Sequence, residues 1–137
     1  MRLVADTGPL YALADAGDPE HEATRKFLES RPQTLIVPSP VVPEVCYLLH
    51  KHLGEKAERL FQASLLNEEL ILENPSRQDL ARVLEILEQY SDAGFGFVDA
   101  TVMAMAERLK TDSVLTLDHR HFSIFRPRHC EALHLYP

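Results

Sequence analysis

Short apolar runs alternate along this chain with longer segments of helical period. Leu3-Val4-Ala5, Leu35-Ile36-Val37, Leu70-Ile71-Leu72, Val114-Leu115-Thr116-Leu117 and Ala132-Leu133-His134-Leu135 have the length and continuous apolarity of buried strands. Helical patterns fill the intervals. Asp18-Pro19 reads as an N-cap followed by proline at the first helical position, opening a helix with Ala23 and Phe27 on one side. A second start lies near Pro43, in a segment where Val41, Val45, Leu48, Leu49 and His52 fall at helical spacing. Glu55 to Leu66 carries Ala57, Leu60, Phe61 and Leu65 on one side, an apolar face that a partner could cover. Ser76 and Asp79 have the spacing of a capping box, and Leu80, Val83, Leu84 and Leu87 follow as an apolar stripe. Ala100 to Leu109 is apolar on most sides, as expected of a helix buried between neighbours, and Gly94-Phe95-Gly96 marks the loop before it. Strands alternating with helices predict an α/β sandwich, helices on both faces of a largely parallel sheet.

At 137 residues and 45% hydrophobic content the chain is expected to form one domain, residues 1–137. It contains no run of about 20 uncharged apolar residues, and Met1-Arg2 leads into the first strand without a signal-peptide pattern. A soluble, cytoplasmic protein is therefore expected, with no membrane partner. Cys46 and Cys130 stand far apart and belong to no Cys/His zinc pattern, so reduced thiols are the expected state. A formal charge of −7 argues against a broad basic surface for nucleic acid. It leaves open an enzyme that gathers carboxylates around cations and keeps its basic residues local.

Ligands of parallel α/β sheets bind beyond the carboxyl ends of the strands. Asp6 directly follows the first apolar run and Asp118 the fourth. Glu44 and Asp99 each lie within about a turn of a predicted helix start, which faces the same edge. Singly, each has an ordinary role as a cap or turn residue. Together they do not, because two unit charges about 4 Å apart at an effective dielectric near 20 repel by roughly 4 kcal/mol. Cations with a preference for oxygen, Mg²⁺ or Mn²⁺, would relieve that crowding and suit hydrolysis of a phosphodiester. Asp92, seven residues before Asp99, is expected to be a solvated loop acid that could support the site, and Asp112 precedes a strand at the opposite edge and is excluded.

At these residues the chain resembles the PIN-domain nucleases, and most closely the VapC-type toxins of toxin–antitoxin pairs. The resemblance is carried by Leu3-Val4-Ala5-Asp6-Thr7, Val42-Pro43-Glu44-Val45, Gly96-Phe97-Val98-Asp99-Ala100 and Thr116-Leu117-Asp118-His119-Arg120-His121-Phe122, in order, with a similar closing segment Leu133-His134-Leu135-Tyr136-Pro137. It implies a PIN-like three-layer α/β/α sandwich and puts the catalytic, metal-binding acids at Asp6, Glu44, Asp99 and Asp118. It also implies Mg²⁺- or Mn²⁺-dependent endoribonuclease activity on RNA, homodimerisation, and inhibition by a cognate antitoxin protein. Thr7 falls where the family often places a hydroxyl beside the first acid; a turn-former ahead of Gly8-Pro9 is the other reading.

Between His119 and Cys130 lie Arg120, Arg126 and Arg128 with His119, His121 and His129, and no carboxylate. The three arginines are candidates to hold RNA phosphates, with solvated surface as the competing role. Phe122 and Phe125 fit core packing better than base stacking. His50 and His52 are two apart and cannot share a helix face as a zinc pair. Three rival functions compete with this reading. An Asp-nucleophile phosphotransferase needs a second acid beside the first, but Thr7, Gly8 and Pro9 follow Asp6. A catalytically silent PIN-like module would act by binding protein or RNA. A metal-free ribonuclease would use His119 or His121 beside Asp118 as acid and base.

Overall fold

Five parallel strands form the centre of the protein, seen in a computed structural model that describes all 137 residues. They are β1 (Arg2–Ala5), β2 (Thr34–Pro38), β3 (Ile71–Glu73), β4 (Ser113–Leu115) and β5 (His134–Tyr136), in the order β3-β2-β1-β4-β5. Every pairing is parallel, with Leu3 opposite Leu35, Val4 opposite Val114 and Val114 opposite Leu135. Leu3, Val4, Ala5, Val37, Val114 and Leu115 are fully buried, which is why their runs are apolar without alternation.

Two helical groups cover the sheet. One comprises α1 (Thr7–Ala14), α2 (His21–Glu29), α3 (Val41–Leu53) and α4 (Glu55–Leu66); the other comprises α5 (Arg77–Gln89), α6 (Phe97–Arg108) and α7 (His119–Ile124). The three-layer α/β/α arrangement is the one expected. Phe122 and Phe125 are buried in the core, so neither is a platform for bases.

Several local expectations are corrected. Thr7-Gly8-Pro9 is not a turn but the first turn of α1. Proline is tolerated there because amides of the first helical turn have no intrahelical acceptor to lose. Helix α2 begins at His21 rather than Pro19, since Asp18 is spent on a tight turn: its carboxylate accepts from the Glu20 N–H at 2.8 Å and its carbonyl from the His21 N–H at 3.0 Å. The Ser76–Asp79 capping box is present, but the stripe behind it is rotated. Val83 and Ile86 are buried with Asp79 and Arg82, whereas Leu80 and Leu84 are exposed. Arg82 and Asp79 take the interior positions because α6 offers each an opposite charge: Arg82 Nε donates to Glu107 Oε1 at 2.7 Å, and Arg108 Nε to Asp79 Oδ2 at 2.8 Å. Cys46 and Cys130 are unpaired and partly buried. No helix is long and apolar enough to cross a membrane.

What positions the site is the reversal of strand order at β1. Chain progress runs outward from β1 through β2 to β3 on one side and through β4 to β5 on the other. The crevice between β1 and β4 is thus a topological switch point, open at the carboxyl ends where Asp6 and Asp118 stand.

Candidate active site

Asp6 leaves β1 and becomes the N-cap residue of α1. Its amide still donates to the Leu115 carbonyl of β4 at 2.8 Å, so the backbone is held in sheet register up to the carboxylate. Thr116, fully buried just past β4, ties the two strand ends together: its hydroxyl donates to Asp6 Oδ2 at 2.9 Å and accepts from the Asp118 N–H at 3.0 Å. Asp118 in turn caps α7, its Oδ1 accepting from the His121 N–H at 3.1 Å.

The other acids arrive on helices. Glu44 sits in the first turn of α3, where the Thr7 hydroxyl donates to its Oε1 at 2.6 Å. This gives Thr7 a contact within the site rather than a turn-forming role. Asp99 lies in the first turn of α6, and its Oδ2 accepts from the Gly96 N–H at 3.0 Å. Asp6, Glu44 and Asp99 line one pocket of about 260 Å³ together with Gly96, Phe97 and Val98. Asp118 joins from the β4 side, where Asp99, Asp118 and His121 bring donor atoms within 4.8 Å of one another.

Electrostatics show the crowding directly. Asp6 is 8% exposed, and burial raises its carboxyl above the ordinary carboxylate range; hydrogen bonds from Thr7 and Thr116 oppose the rise, and the charges of Asp99 and Glu44 add to it. Asp99 is likewise raised, first by burial and then by Asp118 and Glu44, against the Gly96 hydrogen bond and His121. No lysine or arginine pairs with any of the four acids; the His121 imidazole is the one basic side chain beside them, near Asp99 and Asp118. The set fits a divalent cation on a second observation as well: His121 Nδ1 is buried without a hydrogen-bond partner. It lies 2.8 Å from Asp118 Oδ2, but the ring N–H does not point along that vector, so the contact is one of proximity and charge.

The basic segment separates on folding. Arg128 donates to Glu85 Oε2 at 2.6 Å, and its amide to Glu107 Oε2 at 2.8 Å, at the far end of α6 from Asp99. Arg126 folds onto the carbonyls of Ser123 and Phe125 and lines a pocket with Asp112 and His134, where β4 and β5 begin. The expectation that both could hold RNA beside the acids is therefore corrected; only Arg120, exposed on α7, starts from the right edge. His119 Nε2 is engaged at 3.1 Å with the Thr116 carbonyl. Asp92 is absent from the pocket lining, and Asp112 lies at the opposite edge. Two residues escaped the sequence reading as site elements. Thr116 and Phe97, the latter half exposed at the pocket, are legible in the sequence only as members of the Thr116–Phe122 and Gly96–Ala100 motifs, not as site residues in their own right.

Comparison with known proteins agrees with this geometry. Residues 3–126 match the family model of the PIN domain. The chain is 34% identical over 125 residues to ribonuclease VapC26 of Mycobacterium tuberculosis, covering 91% of this chain and 93% of the relative. The crystal structure of M. tuberculosis VapC20, a toxin that cleaves the sarcin-ricin loop, superimposes with a TM-score of 0.76 at 24% identity, over 82% of this chain and 86% of that one. VapBC2 of Rickettsia felis, bound to a promoter DNA fragment, has a chain that matches with a TM-score of 0.71 at 15% identity over 100% of both chains. The chain belongs to the PIN-domain family and, within it, to the VapC ribonucleases.

Proposed function

We propose that the protein is a divalent-metal-dependent endoribonuclease, the toxin of a VapBC-type pair, acting in the cytoplasm on RNA. The observation that carries this reading is the convergence of uncompensated acids on the β1/β4 crevice, two of them buried enough to be raised above their ordinary range. Asp6 and Asp99 would be the chief ligands of Mg²⁺ or Mn²⁺, with Glu44 and Asp118 completing the set. When bound, such an ion supplies positive charge at the scissile phosphate and acidifies water for in-line attack.

The chain's own residues do the rest. Thr116 holds Asp6 and the Asp118 backbone at a fixed spacing, Thr7 fixes the Glu44 carboxylate, and Gly96 orients Asp99, so the ligands need little reorganisation when the cation enters. Arg120 stands free on the exposed face of α7 to meet a flanking phosphate. Water attack leaves a 5′-phosphate and a 3′-hydroxyl.

An antitoxin partner finds support in an apolar groove of about 420 Å³ between α1 and α4, lined by Leu10, Leu13, Ala57, Leu60 and Phe61. A helical segment with leucine-like anchors at helical spacing suits it. The exposed Leu80 and Leu84, one turn apart on α5, support a homodimer.

Incubation of total RNA with the protein in Mg²⁺, in Mn²⁺ and in chelator, followed by end-group analysis, tests the central reading. Cleavage in metal with 5′-phosphate ends is expected. Undiminished cleavage in chelator, or cyclic-phosphate ends, would defeat it.

A further inference from the structure

We propose that His121 is itself a ligand of the divalent cation, through Nδ1, forming with Asp99 and Asp118 a mixed nitrogen–oxygen subsite that favours a first-row transition ion over Mg²⁺. The inference rests on the metal-dependent reading above and concerns a side chain outside the four acids.

The spacing suits coordination. For bonds of about 2.1 Å in six-coordinate geometry, adjacent ligand atoms stand about 3 Å apart. His121 Nδ1 is 2.8 Å from Asp118 Oδ2 and 3.7 Å from Asp99 Oδ2, on either side of that value. All three donor atoms lie within 4.8 Å of one another.

The imidazole is also held in place. Phe95 meets the His121 ring edge-on, with centroids 5.6 Å apart and planes at 77°. Phe95 packs on Tyr90 at 5.4 Å, and Tyr90 on the buried Phe125 at 5.8 Å, which roots this aromatic series in the core. Gly94, at φ +79, takes the left-handed backbone that carries the loop past the ring, its Cβ position 3.7 Å from Nε2, an ordinary contact distance. The ring thus presents Nδ1 to the acids, where it is buried and without a hydrogen bond. A buried polar atom left unpartnered beside two carboxylates is accounted for by a cation between them. The competing role, an imidazolium paired with Asp118 three residues earlier, would aim the ring N–H at the carboxylate, which this geometry does not do.

Donor chemistry sets the preference. Mg²⁺ takes oxygen ligands and sheds water reluctantly, whereas imidazole nitrogen suits the later first-row ions best and Mn²⁺, at the weak end of their series, less strongly. His119 cannot substitute, being turned to the Thr116 carbonyl.

The test uses Mn²⁺ bound to the full-length protein and reads the metal rather than turnover. Pulsed electron paramagnetic resonance of the wild-type complex should show nitrogen modulation that changes when the protein is grown with ¹⁵N-histidine, a result that needs no variant. His121→Gln should abolish the modulation and weaken Mn²⁺ binding about tenfold while changing Mg²⁺ binding less than about twofold. His119→Gln should retain the modulation. Tight Mn²⁺ binding by the wild type without histidine modulation, or modulation that survives in a folded His121→Gln protein, overturns the proposal and leaves the acid-held metal site standing. No Mn²⁺ binding at all, with cleavage undiminished in chelator, overturns both.

Discussion

The two ends of α6 each gather several charged side chains and resolve them in opposite ways. At the start, Asp99 joins Asp6, Glu44 and Asp118 with no arginine or lysine among them. Eight residues on, about 12 Å along the axis, Glu107 accepts from Arg82 at 2.7 and 3.1 Å and from the Arg128 amide at 2.8 Å, while Arg108 spans Asp79 and Glu73. The paired end borders the larger cavity, about 520 Å³ against about 260 Å³ at the acids. Cavity size and charge density therefore do not distinguish function from structure here; compensation does. A matched network spends its charges on holding α5 to α6, and an unmatched one leaves them open to an incoming cation.

Substitutions at the two ends should have opposite signatures. The largest effect is expected from Asp6→Asn and Asp99→Asn. Since losing a residue that merely supports a metal ligand costs 10–100-fold, losing a direct ligand should reduce RNA cleavage by more than about 100-fold. Thermal melts of both metal-free variants should show a midpoint no lower than the wild type, because a buried charge has been removed. A melting point lowered by many degrees would make these acids structural and collapse the distinction.

At the other end, Arg82→Ala should cost about 3 kcal/mol in urea unfolding, leaving the nearly buried Glu107 without its main partner. Cleavage per folded molecule should be unchanged. Equal stability of the variant would show that the network contributes nothing to folding.

The contrast also has a pH signature. Asp6 and Asp99 are raised in the folded state above the ordinary 3.8. Between that value and the raised ones the native state binds more protons than the unfolded state. Metal-free stability should therefore fall as pH rises through this interval, with the whole penalty present above it. A cation displaces those protons, so Mn²⁺ should raise the melting temperature more at neutral pH than at about pH 5. Calorimetry across this range checks the sign; a shift larger at low pH refutes it.

A smaller effect is expected at Thr116→Val, which keeps shape and removes the hydroxyl between Asp6 and Asp118. Mn²⁺ affinity measured by titration should fall about 10-fold. The smallest belongs to Arg128→Ala: its ion pair with Glu85 is exposed on both sides, so stability should change by less than about 1 kcal/mol and RNA affinity not at all. Loss of RNA binding there would return Arg128 to the substrate surface.

Much of this arrangement can be read before folding is considered. Continuous apolar runs ending in Asp6 and Asp118 declare buried parallel strands with acids at their carboxyl ends, because period and strand polarity are local properties of the chain. Glu55–Leu66 and the Ser76 cap are legible for the same reason. What required the tertiary structure were the outcomes of competition between distant residues. Leu80 and Leu84 lost the interior to Asp79 and Arg82 only because α6 supplies Glu107 and Arg108 opposite them. Arg126 and Arg128 sit within ten residues of Asp118 yet end at the other side of the sheet, since the chain after α7 runs back to the edge where β5 begins. Thr116 and His121 become parts of the site through contacts with Asp6 and Asp99, 110 and 22 residues away, and no periodicity records such pairings. Helical and strand period is written locally, but which charge meets which is decided by packing, where burial makes an unmatched charge costly, so that acids left unpaired stand out as a candidate site.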